Sequence, residues 1–125
     1  MAGSATVASG NRWERLALDY LLAHGLEKIT GNFRCRFGEI DLAMLDRSCL
    51  VFVEVRYRRA NRFAGAVASI DTHKQRKLIR TAAMFLTRYP QYRDCTMRFD
   101  VVAIDGARED HCTLQWLRDA FRPED

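Results

Sequence analysis

Two carboxylates and a guanidinium set the chemistry that this chain could perform. Asp41 lies in the run Gly38-Glu39-Ile40-Asp41-Leu42-Ala43-Met44-Leu45, and Glu54 and Arg56 lie in Leu50-Val51-Phe52-Val53-Glu54-Val55-Arg56-Tyr57-Arg58-Arg59. Both runs are apolar and partly β-branched, and Asp46-Arg47-Ser48-Cys49 separates them, which is the pattern of a β-hairpin. Side chains alternate along a strand, so Glu39 and Asp41 share one face of the first strand and Glu54, Arg56 and Arg58 one face of the second. A two-residue loop at Arg47-Ser48 pairs Asp46 with Cys49, places Asp41 opposite Glu54 and places Glu39 opposite Arg56. A loop of odd length would turn the two carboxylates to opposite faces and break the apolar pattern. Carboxylates directly opposed across strands have Cβ atoms roughly 5 Å apart and repel by about 0.2–1 kcal/mol. Such a pair calls for a cation. Mg²⁺ suits it, since that ion accepts one or two carboxylates and fills its other positions with water and phosphate. The guanidinium of Arg56 could serve instead, and spacing does not choose between them.

Asp41 followed by Glu54-Val55-Arg56 resembles the PD-(D/E)xK nuclease signature. More specifically, Gly38-Glu39-Ile40-Asp41-Leu42, Val51-Phe52-Val53-Glu54-Val55 and Arg98-Phe99-Asp100-Val101-Val102 resemble the YraN-like family of bacterial proteins, similar in pattern to Holliday-junction resolvases. The resemblance covers roughly residues 10 to 121. It implies a restriction-endonuclease-like α/β fold and a metal-dependent nuclease acting on DNA, with branched or flapped structures among its substrates. It also implies Asp41 and Glu54 as ligands of Mg²⁺ (or Mn²⁺), the Val55 carbonyl as a third ligand, and Glu14 and Glu39 as further acidic residues of the site. Lys74 and Gln75 match positions where the family carries polar residues near the site, and Phe63-Ala64-Gly65 corresponds to the family's Phe-Gly pair. One position departs: the signature ends in Lys, and this chain has Arg56. A guanidinium stays charged in proteins, so Arg56 cannot be a general base, though it can stabilise charge developing on phosphate. The alternative is therefore a catalytically weakened nucleic-acid-binding module of the same fold. A third reading is an interaction domain whose carboxylates are neutralised by arginines.

The elements that must position these residues follow from periodicity. Trp13, Leu16, Ala17, Tyr20 and Leu21 form one apolar stripe of a helix over residues 11–24, with Asn11 and Glu14 in the spacing of a capping box. Glu14 thus has a structural reading beside its site reading. Residues 27–36 read as an edge strand interrupted at Gly31. Asp71 is the expected N-cap of a second helix reaching Arg88, with Gln75, Leu78, Ile79, Ala82, Ala83 and Leu86 inward. Strands follow at Met97–Ile104 and Cys112–Leu117, joined by a loop at 105–110, and Asp119-Ala120-Phe121 reads as a packing anchor. The order αβββαββ implies one mixed sheet flanked by helices. Residues 11–122 form a single domain, and residues 1–10 read as a disordered tail.

The chain has 125 residues, 48% of them apolar and 29% charged, with a formal net charge of +4. These values describe an ordinary globular domain. Its cations cluster on or just after the second hairpin strand (Arg56, Arg58, Arg59 and Arg62) and then on the next helix (Lys74, Arg76, Lys77 and Arg80). Arg58, Arg59, Arg62, Lys74, Gln75 and Lys77 are the expected nucleic-acid contacts, and a homodimer is compatible with the composition. No apolar run spans a bilayer and the start lacks a signal-peptide pattern, so a cytoplasmic protein without membrane contact is expected. Cys35, Cys49, Cys95 and Cys112 are scattered without a C-x-x-C pair, and His24, His73 and His111 likewise suggest no zinc site. Phosphate-loop and serine-hydrolase motifs are missing, against an ATPase or serine hydrolase.

Overall fold

The structure is a computed structural model that describes residues 2–58, 70–108 and 110–123, the side chains of 2–11, 58 and 107 excepted. Arg59, Arg62 and the loop around Phe63 therefore lie outside the described residues, as does the side chain of Arg58. The elements run α1 (Ala2–Ala23), β1 (Glu27–Cys35), β2 (Gly38–Asp46), β3 (Cys49–Arg58), α2 (Thr72–Arg88), a short 3-10 turn (Pro90–Tyr92), β4 (Thr96–Arg108) and β5 (His111–Phe121). The strands form one sheet in the order β1-β2-β3-β4-β5. All neighbours are antiparallel except β3 and β4, which run parallel. A parallel pair needs a long crossover, and the connection containing α2 supplies it. The result is the restriction-endonuclease-like α/β arrangement, with the order αβββαββ.

Alternation along the strands divides the core between two faces. Leu50, Phe52, Phe99 and Val101 pack with Leu78, Ala82 and Phe85 of α2. Val51, Val53, Val102 and Ile104 pack with Trp13, Ala17 and Leu21 of α1. The expected stripe of α1 is thus in place, with Leu16 and Tyr20 half-buried beside it. The stripe of α2 is rotated from the expected one. Leu78, Thr81, Ala82 and Phe85 are buried and Ala83 is exposed. The Thr81 hydroxyl satisfies itself by donating to the Lys77 carbonyl at 2.8 Å, so a polar residue can occupy that inner position.

Three boundaries differ from the sequence expectation. α1 begins at Ala2, so residues 2–10 are helical where a disordered tail was expected, and Asn11 lies within the helix instead of capping it. The absence of proline there and the alanines at 2, 5 and 8 favour continuation. In β1 the irregularity falls between Lys28 and Thr30, just before Gly31. β4 continues through Asp105 to Arg108 and β5 through to Phe121, where a loop and a shorter strand were expected. Gly106 makes the longer hairpin feasible by its φ of +156° and a register shift before Arg108. A Cβ at Gly106 would stand 2.5 Å from the His111 carbonyl oxygen and 2.6 Å from the Cys112 Cα, both backbone atoms. Gly106→Ala is therefore expected to destabilise the fold by roughly 1–3 kcal/mol, read as a lower midpoint in urea unfolding.

The closing residues behave as the expected anchor. The Phe121 ring stacks on Phe99 with centroids 4.8 Å apart. Asp119 adopts a φ of +54° and donates its amide to the buried Asp100 carboxylate. Among the described residues, no helix is long and apolar enough to cross a membrane, and Cys35, Cys49 and Cys95 are free thiols.

Candidate functional site

The β2–β3 hairpin turns at Arg47-Ser48, with Arg47 at a φ of +58°, the sign that tight hairpin loops require at their first position. The ladder follows the expected register from Asp46/Cys49 to Leu42/Val53. Beyond that pair the Val55 amide donates to Asp41 Oδ2 at 2.8 Å. Ile40 and Leu42 both point inward, yet they join the cores on opposite faces of the sheet. Alternation is thus interrupted at Asp41. In β1, between the pairs Gly31–Leu42 and Phe33–Ile40, Asn32 has a φ of +53°. Asp41 stands at the edge of a cleft.

That cleft has a volume of about 380 Å³ and is lined by Gly38, Glu39, Asp41, Glu54, Asp71, His73, Lys74, Lys77 and Leu78. Asp41 and Glu54 come from adjacent antiparallel strands and line it together, as the hairpin register requires. Glu54 is only 7% exposed. Its Oε2 lies 3.1 Å from the Lys74 Nζ and 3.6 Å from the Arg56 Nε. Asp41 is held well above the ordinary carboxylate range, to about 8. Burial is the main cause, followed by the charge of Glu54. The Val55 amide pulls in the opposite direction, while Glu14 and Glu39 add smaller repulsions. Glu14 is itself raised, first by burial and then by Glu39, with an Asn32 hydrogen bond and the charge of Arg34 opposing. Glu14 lines an adjoining groove with Asn32, Gly31 and Leu42, so it reaches the site through its field more than through contact.

Several expected residues take other positions. Glu39 does not face Arg56. It pairs across the β1–β2 ladder with Arg34, whose Nε donates to Glu39 Oε2 at 2.6 Å. Gln75 donates its side-chain amide to the Ile70 carbonyl at 3.0 Å, which ties the start of α2 to the segment before it. Lys74, an expected nucleic-acid contact at a position that resembles the family's polar residues near the site, reaches Glu54 with its side chain. Its placement follows from the Asp71 N-cap, which accepts the Lys74 amide at 2.9 Å and fixes the first turn of α2 beside the cleft. The sequence signals for this contact were the dense charge at the start of α2 and the resemblance, which puts Lys74 at a position near the family's site.

Among the described residues, no three His, Cys, Asp or Glu side chains group closely enough to form a protein-only metal cage. The pair that is present still fits a hard cation. Asp41 is destabilised as an anion by burial and by Glu54, and a divalent ion would relieve both. Mg²⁺ needs only one or two carboxylates if water and substrate phosphate complete its shell.

The Arg98-Phe99-Asp100 motif lies elsewhere. Asp100 is 1% exposed and accepts from Arg98 Nε at 3.0 Å, from Trp116 Nε1 at 2.9 Å and from the Asp119 amide at 2.9 Å. Arg98 also reaches Asp46 Oδ2 at 2.9 Å. Burial works against the Arg98 charge, but its bonds to Asp100 and Asp46 outweigh it and raise its proton affinity. This motif holds β4, β5 and the end of the hairpin together.

Comparison with known proteins agrees with the motif reading. The profile described as "Uncharacterised protein family UPF0102" matches residues 13–104. A UPF0102 protein of Pseudomonas putida strain GB-1 is 44% identical over 121 residues, covering 97% of this chain and 98% of that protein. Another, from Alkalilimnicola ehrlichii, is 51% identical over 113 residues, covering 90% and 86%. A third, from Alcanivorax borkumensis, is 42% identical over 116 residues, covering 93% of each. With its motifs in order and these relatives matching nearly end to end, the chain belongs to the UPF0102, or YraN-like, family.

Proposed function

We propose that this protein is a metal-dependent nuclease that hydrolyses phosphodiesters in DNA, with branched or flapped structures as candidate substrates. The observation that carries this reading is the half-buried Asp41 beside the buried Glu54 in a cleft bordered by cations. A fold has little reason to keep two repelling carboxylates out of water unless something cationic is to join them. Mg²⁺ held by Asp41 and Glu54 would polarise a phosphate oxygen and activate water. The chain's own groups do the rest. Val55 orients Asp41 through its amide. Arg56, on the strand beside Glu54, supplies fixed positive charge. Lys74 brings from α2 the ammonium that the β3 motif lacks, within 3.1 Å of Glu54, and so can meet the reacting phosphate.

The same contact favours the second reading, a weakened binding module. An ammonium already paired with Glu54 satisfies part of the demand for a cation without any metal.

A cleavage assay with Mg²⁺ and Mn²⁺ on duplex, single-stranded, branched and flapped DNA separates the two. For a nuclease, Asp41→Asn abolishes cleavage while DNA binding persists. Lys74→Ala lowers kcat by roughly 100-fold, as expected for loss of one charge from a reaction site, and Arg56→Lys raises activity. A parent and an Arg56→Lys variant that are both inert on every substrate would leave the binding module as the reading.

A further inference from the structure

The hairpin tip between β1 and β2 abuts α2. Cys35 and Gly38 form its last pair, leaving Arg36 and Phe37 as a two-residue turn. The Arg36 guanidinium lies 4.9 Å from the centre of the Phe37 ring and that of Arg80, from α2, lies 6.0 Å from it. Gly38 permits this close approach. A Cβ there would meet the Thr81 hydroxyl at 3.1 Å and the Lys77 Cβ at 3.9 Å. Lys77 and Arg80 are three residues apart on a helix and so share a face. Lys77 and Gly38 also line the acidic cleft, which makes the tip and the cleft one continuous surface.

We propose that Arg36, Lys77 and Arg80, gathered around Phe37, form a cationic ridge that binds the sugar–phosphate backbone of DNA and leads it into the Asp41–Glu54 cleft. The choice of nucleic acid as ligand rests on the nuclease reading above; the placement of the contact does not. Arg34 and Lys74, their neighbours, are neutralised by Glu39 and Glu54. Arg36, Lys77 and Arg80, in contrast, have no carboxylate within ion-pair distance among the described residues, so their charge is available to a polyanion. Stacking a guanidinium on a ring occupies its face and leaves its N–H edge directed outward, in the planar fork that suits phosphate. From His73, at the cleft, to Arg80 the helix rises about 10 Å. A DNA strand advances about 3.4 Å per phosphate, so the path from the cleft to the far end of the ridge covers about three phosphates. That spacing fits a regular backbone better than a single small anion.

The test is the salt dependence of binding to a fluorescein-labelled DNA duplex, measured by anisotropy with EDTA present so that cleavage cannot intervene. Three phosphate contacts give a slope of log K against log salt of about −2.7. The double variant Arg36→Gln/Arg80→Gln should be shallower than the parent by about 1.8. Arg93→Gln/Arg118→Gln, which removes the same charge away from the ridge, should leave the slope within about 0.5 of the parent on the same scale. Unchanged thermal midpoints in both double variants show that the fold is intact, and Lys77→Gln alone gives a milder second measure. A parent that binds DNA with the same slope as Arg36→Gln/Arg80→Gln overturns the ridge and leaves the nuclease reading standing. A parent that ignores DNA at low salt, or that binds phosphatidylserine vesicles in its place, overturns the nucleic-acid reading itself.

Discussion

Asp41→Asn is expected to stabilise the protein at pH 8 and to leave its stability unchanged near pH 4. In the folded chain, burial and Glu54 keep Asp41 protonated up to about pH 8, whereas its ordinary value is 3.8. Between those limits the native state binds more protons than the unfolded chain, so stability falls as pH rises. The penalty is absent below about pH 4 and complete above about pH 8. Each tenfold difference in proton affinity corresponds to about 1.4 kcal/mol. Asp41 is only half-buried and the cleft admits some water, so a gain of about 2–4 kcal/mol for the asparagine variant at pH 8 is expected. At roughly 3–5 °C per kcal/mol for a chain of this size, the melting temperature should rise by roughly 10 °C. Asparagine can still accept the Val55 amide, so the hairpin geometry survives. Thermal unfolding of both proteins from pH 4 to pH 9 reads the effect. Added Mg²⁺ should stabilise the parent at pH 8 by mass action and do little for the variant, a readout that does not depend on cleavage. Coincident and flat pH profiles would remove the electrostatic basis of the metal-site reading.

That prediction depends on a register readable from a few residues. The Arg47-Ser48 turn, with apolar positions on both sides, leaves one pairing that buries Leu50 to Val53, and that pairing brings Asp41 to Glu54. The Asp71 cap and the apolar stripe of α1 were legible for the same reason: each rests on contacts a few residues apart. What stayed hidden depends on how separate elements dock. Lys74 meets Glu54 twenty positions away, across a connection whose path no local pattern specifies. Glu39 follows Arg34 and not Arg56 because the β2–β3 ladder stops at Leu42/Val53 while the β1–β2 ladder continues to Cys35/Gly38. The rotated stripe of α2 was obscured by Thr81, which looks polar in sequence and yet is fully buried.

The Arg98–Asp100 motif illustrates the same limit, and it supports the second large prediction. In sequence it marked the resemblance to the YraN-like family with no role attached; in the fold it is a structural staple. The Asp100 carboxylate is fully buried and takes bonds from Arg98, Trp116 and the Asp119 amide. Arg98 passes the connection on to Asp46 at the hairpin end. Asp100→Asn keeps the shape but removes the charge and presents an amide to donors. Breaking a buried ion pair from one side costs about 3–5 kcal/mol. Urea unfolding should therefore show a lower midpoint with an unchanged slope, the mark of lost stability and not of a changed unfolded state. Asp46→Asn should cost less, because that carboxylate is about a quarter exposed. Replacing both partners with apolar residues, Arg98→Met with Asp100→Leu, should recover part of the loss. Full recovery is not expected, since Trp116 and the Asp119 amide would still lack an acceptor. A loss under about 1 kcal/mol for Asp100→Asn would mean that Arg98 and Trp116 find other partners, against the staple. Asp100 lies on β4 opposite Val53 in the register, one position from Glu54 and therefore directed to the other face of the sheet. The Asp100→Asn protein, held below its lowered melting temperature, should then bind DNA with the parent's salt slope, which separates what holds the sheet together from what the cleft does.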